Sequence, residues 1–436
     1  MRILRRELSN QIRVVMEPME NFVSVSIGVW IQAGSADETP ENNGIAHVTE
    51  HMLFKGTKTR SAKEIADEMA AMGDYLDAYT SKECTCFYTR TLGEYAPKAL
   101  EILADMIKNP RLDPEDLKKE LGVILDEIDM YEDDAEELVH EILQKEIWKN
   151  HPLGYIISGE KETVRNFRTQ DVRSFMDDFY TGKHILISVA GNFDPENLFA
   201  QIEDLFGDIP CGEKIKKVQA PHYRSVCVCR PKKIEQMHLD LAFDAIPYEH
   251  RDKYVLSIVN SLLGGNGNSR LFQEVREEKG LTYSIYSYGS SFRDCGLFQI
   301  YAAMAPAQTP KVLDATLEAL FRLEEEGVKE KELELAKSQM RTELLLMQED
   351  THEQMEENAK AWLYDGQIET AEQMVSRVEE ITADDITAFM RRYCKIENVS
   401  AAFVGNFEET DLQAVDEILK KWKIPLSCQE EEDEQV

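Results

Sequence analysis

Two stretches of this sequence align with each other without a gap, at an offset of 214 residues. They are "VRNFRTQDVRSFMDDFYTGKHILISVAGNFDPENL" at 164–198 and "VEEITADDITAFMRRYCKIENVSAAFVGNFEETDL" at 378–412. Each copy predicts a capped amphipathic helix, a β-rich run, a turn at Gly-Asn and a second helix. A repeat of this length implies that one folding unit is used twice.

We therefore expect two homologous halves, at 1–215 and 225–428, joined by a stretch that contains Pro, Gly and Lys and shows little periodicity. The acidic tail "QEEEDEQV", 429–436, is expected to be disordered. The 436 residues are also too many for one average domain.

Alternating apolar residues predict strands at 22–34, 83–92 and 237–246, with helical stretches between them. Hairpin-like strands followed by packed helices indicate an α+β fold and not a doubly wound parallel sheet. We expect each half to be an α/β sandwich in which helices cover a mixed sheet.

The formal net charge of −33 argues against nucleic acid as a partner, because phosphate binding needs a basic patch. It instead favours the approach of basic peptides. No run of 18 apolar residues occurs, so we expect no membrane association. The start of the chain lacks the apolar core of a secretory signal, and we expect a cytoplasmic protein.

The eight cysteines include no C-x-x-C pair. Cys84 and Cys86, like Cys227 and Cys229, have the spacing of residues on one face of a strand. In a cytoplasmic protein this pattern predicts reduced, buried thiols, not zinc ligands or disulfides.

The segment "HVTEH" places two histidines one helical turn apart, with a glutamate directly before the second. On a helix capped by Asn42 or Asn43, the side chains of His47 and His51 project to the same side. Two such imidazoles can bind one tetrahedral zinc, and Glu50 can reach a metal-bound water as its general base. This H-x-x-E-H order is the inverzincin motif. The alternative is two ordinary polar residues on one helix face.

A third ligand separates these alternatives, since catalytic zinc keeps three protein ligands and one open position. The next acidic helix, "DPEDLKKELGVILDEIDMYEDD", begins at Asp113, a good N-cap followed by Pro. Glu120 and Glu127, seven residues apart, lie along one edge of its apolar stripe. From spacing alone either glutamate could be the ligand, and angle alone also permits Asp126 and Asp129.

H-x-x-E-H with a glutamate 76 positions after His51 resembles the pitrilysin-type zinc peptidases, which include insulin-degrading enzyme and the mitochondrial processing peptidase. The resemblance covers nearly the whole chain and is strongest to the short bacterial branch similar to the processing peptidase β subunit. "SVSIGVWIQAGSADE", "GVILDEIDMYEDD" and "SRLFQEVREEKGLTYSIYSY" also carry it. It implies two halves enclosing a cavity and one Zn²⁺ per chain held by His47, His51 and Glu127. Glu120 then orients a histidine ligand.

The second half contains no H-x-x-E-H, but it contains Arg276 and Tyr283 in "REEKGLTY". The resemblance implies that this pair acts over the active site from the C-terminal half. The Tyr283 phenol suits a developing oxyanion, and the Arg276 guanidinium suits substrate carbonyls.

The resemblance also implies a substrate-binding stretch at "YLDAYTSKECT", with Asp77, Ala78 and Thr80 as its residues. The family usually has Asn at the position of Asp77 and Gly at that of Asp74. An ionised aspartate accepts but cannot donate a hydrogen bond, so substrate specificity should differ. We expect an extended substrate to add a strand to a sheet edge near 83–92.

Together these features predict a zinc-dependent endopeptidase that cleaves peptides or extended segments of unfolded protein. Glu50 deprotonates the bound water and later protonates the leaving amine. Because both parts of the site lie on one chain, a homodimer is the simpler assembly. The alternatives are a scaffold member that lost catalysis, as in respiratory complexes, and the catalytic half of a heterodimeric processing peptidase.

Overall fold

The computed structural model describes residues 3–73, 76–213, 219–364, 367–407 and 409–430. Asp74 and residues 431–436 of the expected tail lie outside the described residues. The twelve strands among the described residues are β1 (Leu4–Glu7), β2 (Arg13–Pro18), β3 (Ser24–Ile31), β4 (Leu76–Thr80), β5 (Thr85–Leu92), β6 (Ile185–Gly191), β7 (Cys227–Pro231), β8 (Met237–Asp244), β9 (Ser284–Ser291), β10 (Gly296–Met304), β11 (Ser400–Gly405) and β12 (Gln429–Glu430).

The α-helices in the same described ranges are α1 (Ile45–Leu53), α2 (Ala62–Ala71), α3 (Ala96–Lys108), α4 (Pro114–Asp133), α5 (Ala135–Ile147), α6 (Lys161–Val164), α7 (Thr169–Phe179), α8 (Pro195–Phe206), α9 (Lys253–Leu263), α10 (Thr309–Glu326), α11 (Glu330–Leu346), α12 (Thr351–Tyr364), α13 (Ala371–Glu380), α14 (Ala383–Tyr393) and α15 (Glu409–Lys421). A π-helical segment covers Phe272–Glu278. Single 3₁₀ turns occur at Ser35–Asp37, Gly93–Tyr95, Pro152–Gly154, Pro306–Gln308, Met347–Glu349 and Ile396–Asn398. None of the helices in the described part of the chain is long and apolar enough to span a bilayer.

Two compact units make up the chain, and each contains one six-stranded mixed sheet. The first sheet has the order β1-β2-β6-β3-β5-β4, in which only β2 and β6 run parallel. The second has the order β12-β7-β11-β8-β10-β9, and there β12, β7 and β11 run parallel. The order β2-β6-β3-β5-β4 in the first sheet therefore matches the order β7-β11-β8-β10-β9 in the second.

The sequence repeat coincides with equivalent elements of the two units. Its first copy forms α7, β6 and the start of α8, and its second copy forms α14, β11 and the start of α15. The three stretches predicted as strands contain β3, β5 and β8. The prediction of two mixed sheets covered by helices is confirmed.

The two units exchange segments of the chain. The first consists of Met1–Asp129, Tyr155–Val218 and Leu345–Thr370, and the second of Met130–Gly154, Gln219–Leu344 and Ala371–Val436. The expected halves at 1–215 and 225–428 were each continuous in sequence. They differ from these units because the segment with α5 lies in the second unit and the segment with α12 lies in the first.

Helix α12 packs on one face of the first sheet, while α1 and α3 pack on the other. Met355 and Ala359 of α12 are buried with Trp30 of β3. The Thr351 hydroxyl lies 2.9 Å from the Ser26 hydroxyl. A sheet covered on both faces has buried side chains in both directions, which is why seven of the eight residues of β3, "SVSIGVWI", are buried.

Helix α5 packs on the second sheet in the corresponding way. His140 of α5 has its Nδ1 atom 2.8 Å from the buried Asp240 carboxylate on β8. The Gln299 side chain of β10 donates to the same carboxylate oxygen at 2.7 Å. A buried polar group is tolerated when it has such partners.

The prediction that all the cysteines are reduced is wrong for one pair. Cys227 and Cys428 form a disulfide, because β12 lies parallel to β7 and brings together residues 201 positions apart. No local spacing carries a signal for such a contact. Gln429–Glu430 form β12, so the expected disorder of the tail fails for these two residues.

Candidate metal centre

The helix α1 carries the H-x-x-E-H segment and begins in an unexpected way. Its N-cap is Gly44, with φ of +97°, and neither Asn42 nor Asn43 caps it through the side chain. The buried carboxylate of Glu38 replaces such a cap, because it accepts hydrogen bonds from the Gly44 and Ala46 amides at 2.8 Å each. The Asn43 amide group donates to the same carboxylate at 2.8 Å. The predicted caps are therefore wrong, because a buried acid from an earlier turn already satisfies the free amides.

Three side chains converge beside α1. The rings of His47 and His51 lie on one face of the helix in an edge-to-face arrangement, with centroids 4.6 Å apart. Glu127 of α4 places its Oε2 atom 3.9 Å from His47 Nε2 and 3.7 Å from His51 Nε2. Among the described residues, these three form the one group of potential ligands with atoms within 4.8 Å of one another.

This donor set fits a divalent zinc ion. Two imidazole nitrogens and one carboxylate are a known catalytic zinc set, with a fourth position left for water or substrate. Within the described residues, Glu127 has no lysine or arginine partner, and its ion-pair partners are the two histidines. A partly buried carboxylate without a cationic side chain is a site that a metal ion would stabilise.

The electrostatics of His47 favour the metal-binding form of its ring. Burial and, to a smaller extent, the neighbouring His51 lower the pKa of His47 to about 4. The imidazole is then neutral over the ordinary range of pH, and only the neutral ring can bind a metal.

Glu50 lies beside the three ligand atoms without belonging to their group. Burial raises its pKa, and the charges of Glu127 and Asp77 act in the same direction. The Thr80 hydroxyl donates a hydrogen bond of 2.6 Å to Glu50 Oε2 and lowers that pKa, as does His51. A buried carboxylate that has a raised pKa and is held by one strong donor is suited to act as a general base.

Glu120 lies behind His51 and outside the ligand group. Its Oε2 atom is 3.3 Å from His51 Nδ1, and its Oε1 atom is 2.8 Å from the ammonium of Lys55. The structure thus groups Glu127, and not Glu120, with the two imidazoles. Asp126 and Asp129 are exposed on the same helix.

Asp77, Ala78 and Thr80 lie on β4, the edge strand of the first sheet. The expectation of a free edge near 83–92 is wrong, because β5 is an inner strand between β3 and β4. Asp77 accepts a hydrogen bond from the Ala78 amide at 2.8 Å and one from Tyr88 at 3.2 Å. The side chain of Thr80 contacts Glu50, as described above.

Arg276 and Tyr283 lie in the second unit, and they contact each other. The Arg276 guanidinium lies 4.5 Å from the ring centre of Phe272 and 5.7 Å from that of Tyr283. Tyr283 precedes β9, and 78% of its surface is exposed. A largely exposed tyrosine is available to a ligand, and its role toward a substrate is taken up below as a proposal.

Sequence reasoning missed three contacts of this centre: those of Glu38 with the start of α1, Lys55 with Glu120, and Thr80 with Glu50. Lys55 follows His51 by one helical turn, and this spacing could have indicated it. The contact of Thr80 with Glu50 joins residues 30 positions apart, and that of Glu38 joins a turn to a helix. No periodicity in the sequence indicates either contact.

Comparisons with known proteins identify the family of this chain. A family model described as "Insulinase (Peptidase family M16)" matches residues 13–161, and one described as "Peptidase M16 inactive domain" matches residues 166–340. A Bacillus subtilis protein named "Uncharacterized zinc protease YmxG" is 40% identical over 390 residues, which cover 89% of this chain and 95% of that protein. A Streptomyces coelicolor protein, also named as a zinc protease, is 33% identical over 403 residues, 89% of this chain and 86% of its own length.

A solved structure shows the same fold. The chain described as a peptidase M16 inactive domain from Pseudomonas fluorescens superimposes with a TM-score of 0.88 at 19% identity. The match covers 94% of this chain and 99% of that one. At this level of identity the likeness concerns the fold alone.

Proposed function

The chain belongs to the insulinase (peptidase M16) family, and we propose that it is a zinc-dependent endopeptidase acting on peptides and extended segments of unfolded protein. The observation that carries this proposal is the convergence of His47, His51 and Glu127, with Glu50 beside them. Relatives that are named zinc proteases support it.

The chemistry divides between the metal and the side chains of this chain. Zinc, when bound by His47, His51 and Glu127, supplies a Lewis acid that activates water and polarises a carbonyl at neutral pH. Glu50 takes the proton of the attacking water and passes it to the departing amine. The hydrogen bond from Thr80 keeps the Glu50 carboxylate in one orientation and favours its ionised form.

Substrate binding would use the free edge of β4. An extended peptide can pair there through its main chain, as strands added to sheet edges do. This pairing suits unfolded segments and places no demand on most side chains. Arg276 and Tyr283 are proposed to hydrogen-bond the substrate carbonyl and the developing oxyanion.

The finer parts of the proposal are one zinc ion per chain, a cytoplasmic location and a homodimer. A single H-x-x-E-H segment supports the first. The presence of both the metal ligands and the Arg276–Tyr283 pair on one chain supports the last. The competing functions are a catalytically inactive scaffold, which does not require Glu50, and the catalytic half of a heterodimeric processing peptidase, which does.

Replacement of Glu50 by glutamine tests this function. Glutamine keeps the size of the side chain but cannot accept a proton, so turnover of a quenched fluorescent peptide should fall by roughly 10²–10⁴-fold. Zinc content and folding should be unchanged, because Glu50 is outside the ligand group. Glu115→Gln, an exposed position on α4, is the matched control.

Two outcomes would overturn the proposal. Cleavage by the Glu50→Gln protein at the wild-type rate would exclude Glu50 as the base. Wild-type protein that binds zinc but cleaves nothing in a broad peptide library would favour the scaffold.

A further inference from the structure

Lys55 lies in the turn that follows α1 and reaches the carboxylate of Glu120. Its Nζ atom is 2.8 Å from Glu120 Oε1, while Glu120 Oε2 is 3.3 Å from His51 Nδ1. Each oxygen of this buried carboxylate therefore has its own nitrogen partner. A carboxylate held at both oxygens cannot rotate without losing one of these contacts.

The backbone of this turn is held independently of the Lys55 side chain. The Lys55 carbonyl accepts a hydrogen bond from the Arg111 guanidinium at 3.0 Å, and the Arg111 amide donates to the Gly56 carbonyl at 2.9 Å. The Lys58 amide donates to the Asn109 carbonyl at 2.9 Å. These bonds attach the end of α1 to the segment that leads into α4, so a change of the Lys55 side chain leaves the backbone in place.

We propose that Lys55 is a positioning residue of the metal centre. Its ammonium group fixes Glu120, so that Glu120 keeps the proton of His51 on Nδ1 and leaves Nε2 free toward Glu127. A histidine ligand binds metal through one ring nitrogen, and the hydrogen bond of the other nitrogen sets its tautomer and its orientation. His47 has no such partner, since its buried Nδ1 atom makes no hydrogen bond within the described residues. The alignment of His51 then matters more.

An opposing effect makes the proposal testable. The positive charge of Lys55 repels a cation bound nearby, so removing this charge by itself would tighten zinc binding. If positioning through Glu120 outweighs this repulsion, the loss of Lys55 must weaken zinc binding. The sign of the change therefore distinguishes the two effects.

The test uses Lys55→Met in the full-length protein, because methionine keeps a comparable length and has no donor. We expect zinc affinity, measured by competition with a chromogenic chelator, to fall by about 3- to 10-fold, less than for a direct partner of the ligand. Lys55→Arg should retain most of the affinity. Lys58→Met, at an exposed position three residues further on, is the matched control and should be unchanged.

A double variant separates positioning from a merely structural role. In a Glu120→Gln background the added Lys55→Met change should cause no further weakening, because the partner through which Lys55 acts has been altered. Equal thermal unfolding midpoints check the folding of each variant. Unchanged or tighter zinc binding by Lys55→Met, or full additivity in the double variant, would refute the proposal.

This inference rests on the metal centre of the proposed function but not on peptidase activity. Wild-type protein that binds no zinc would overturn both. Tight zinc binding that does not depend on Lys55 would overturn this inference alone.

Discussion

Replacing Thr80 by valine should change the pH at which the protein becomes active. The Thr80 hydroxyl donates to Glu50 Oε2 at 2.6 Å, and this contact favours the ionised carboxylate. Valine has nearly the same shape and the same preference for strands, so β4 should keep its pairing with β5. The substitution therefore removes one donor and little else.

The size of the effect follows from the strength of this hydrogen bond. A hydrogen bond to a charged group contributes about 1.5–3 kcal/mol, and one pKa unit corresponds to about 1.4 kcal/mol. Because Glu50 is buried, little of this is lost to screening by solvent. The pKa of Glu50, already raised by burial, should rise further when this hydrogen bond is lost.

The sign of the activity change follows directly. A carboxylate acts as a base only when it is ionised, so under the proposed mechanism a higher pKa of Glu50 moves the acid limb of the kcat/KM profile to higher pH. The limb should move by about 1–2 pH units in Thr80→Val, while the plateau above it changes little. Thr80→Ser keeps a hydroxyl and should leave the limb in place.

The assay is the cleavage rate of one fluorescent peptide between pH 5 and pH 9, with zinc content checked for each protein. An acid limb that stays in place in a fully zinc-loaded Thr80→Val protein would refute the assigned contact. A rise in KM with an unchanged limb would instead indicate that Thr80 binds substrate.

Three further predictions concern the metal ligands, the glycines and the pH dependence of stability. Glu127→Gln should lose nearly all zinc on dialysis, whereas Glu120→Gln should weaken zinc affinity by about 10–100-fold; equal losses would contradict the assignment. Gly44→Ala should destabilise the protein by more than about 1 kcal/mol in urea unfolding, because φ at Gly44 is +97° and the added Cβ would lie 2.9 Å from a neighbouring loop. Gly122 lies within α4 and has open space around it, so Gly122→Ala should stabilise the protein by about 0.5–1 kcal/mol. In chelator-treated protein, the free energy of unfolding should fall by up to about 3 kcal/mol as the pH drops from about 6.5 to about 4, because His47 binds its proton more weakly in the folded chain than in the unfolded one; a His47→Gln protein with the same pH dependence would exclude this cause.

The internal repeat and the strand patterns predicted the fold class correctly. Their signals are local. The apolar alternation of β3 and β8 falls within single strands, and each Gly-Asn turn joins two adjacent elements. No local pattern indicated that α5 belongs to the second unit and α12 to the first. An amphipathic helix has the same pattern whichever sheet it covers.

For the candidate site, the H-x-x-E-H spacing alone placed His47, Glu50 and His51 near one another, since a helix fixes the relative directions of these side chains. The choice between Glu120 and Glu127 was open from spacing and depended on the family resemblance. The structure groups Glu127 with the imidazoles because its carboxylate lies within 3.9 Å of both imidazole Nε2 atoms, and such a distance between two helices is a property of the tertiary structure.

The sequence by itself determined the elements, the repeat and the donor types, because each depends on residues a few positions apart whose geometry the backbone dictates. Only the tertiary structure decided which atoms meet: Thr80 with Glu50, Lys55 with Glu120, Glu38 with the start of α1, and Cys227 with Cys428. Except for Glu38 and the start of α1, these partners are far apart along the chain. Packing of apolar faces sets their final distances, and many arrangements of those faces are compatible with the same local pattern.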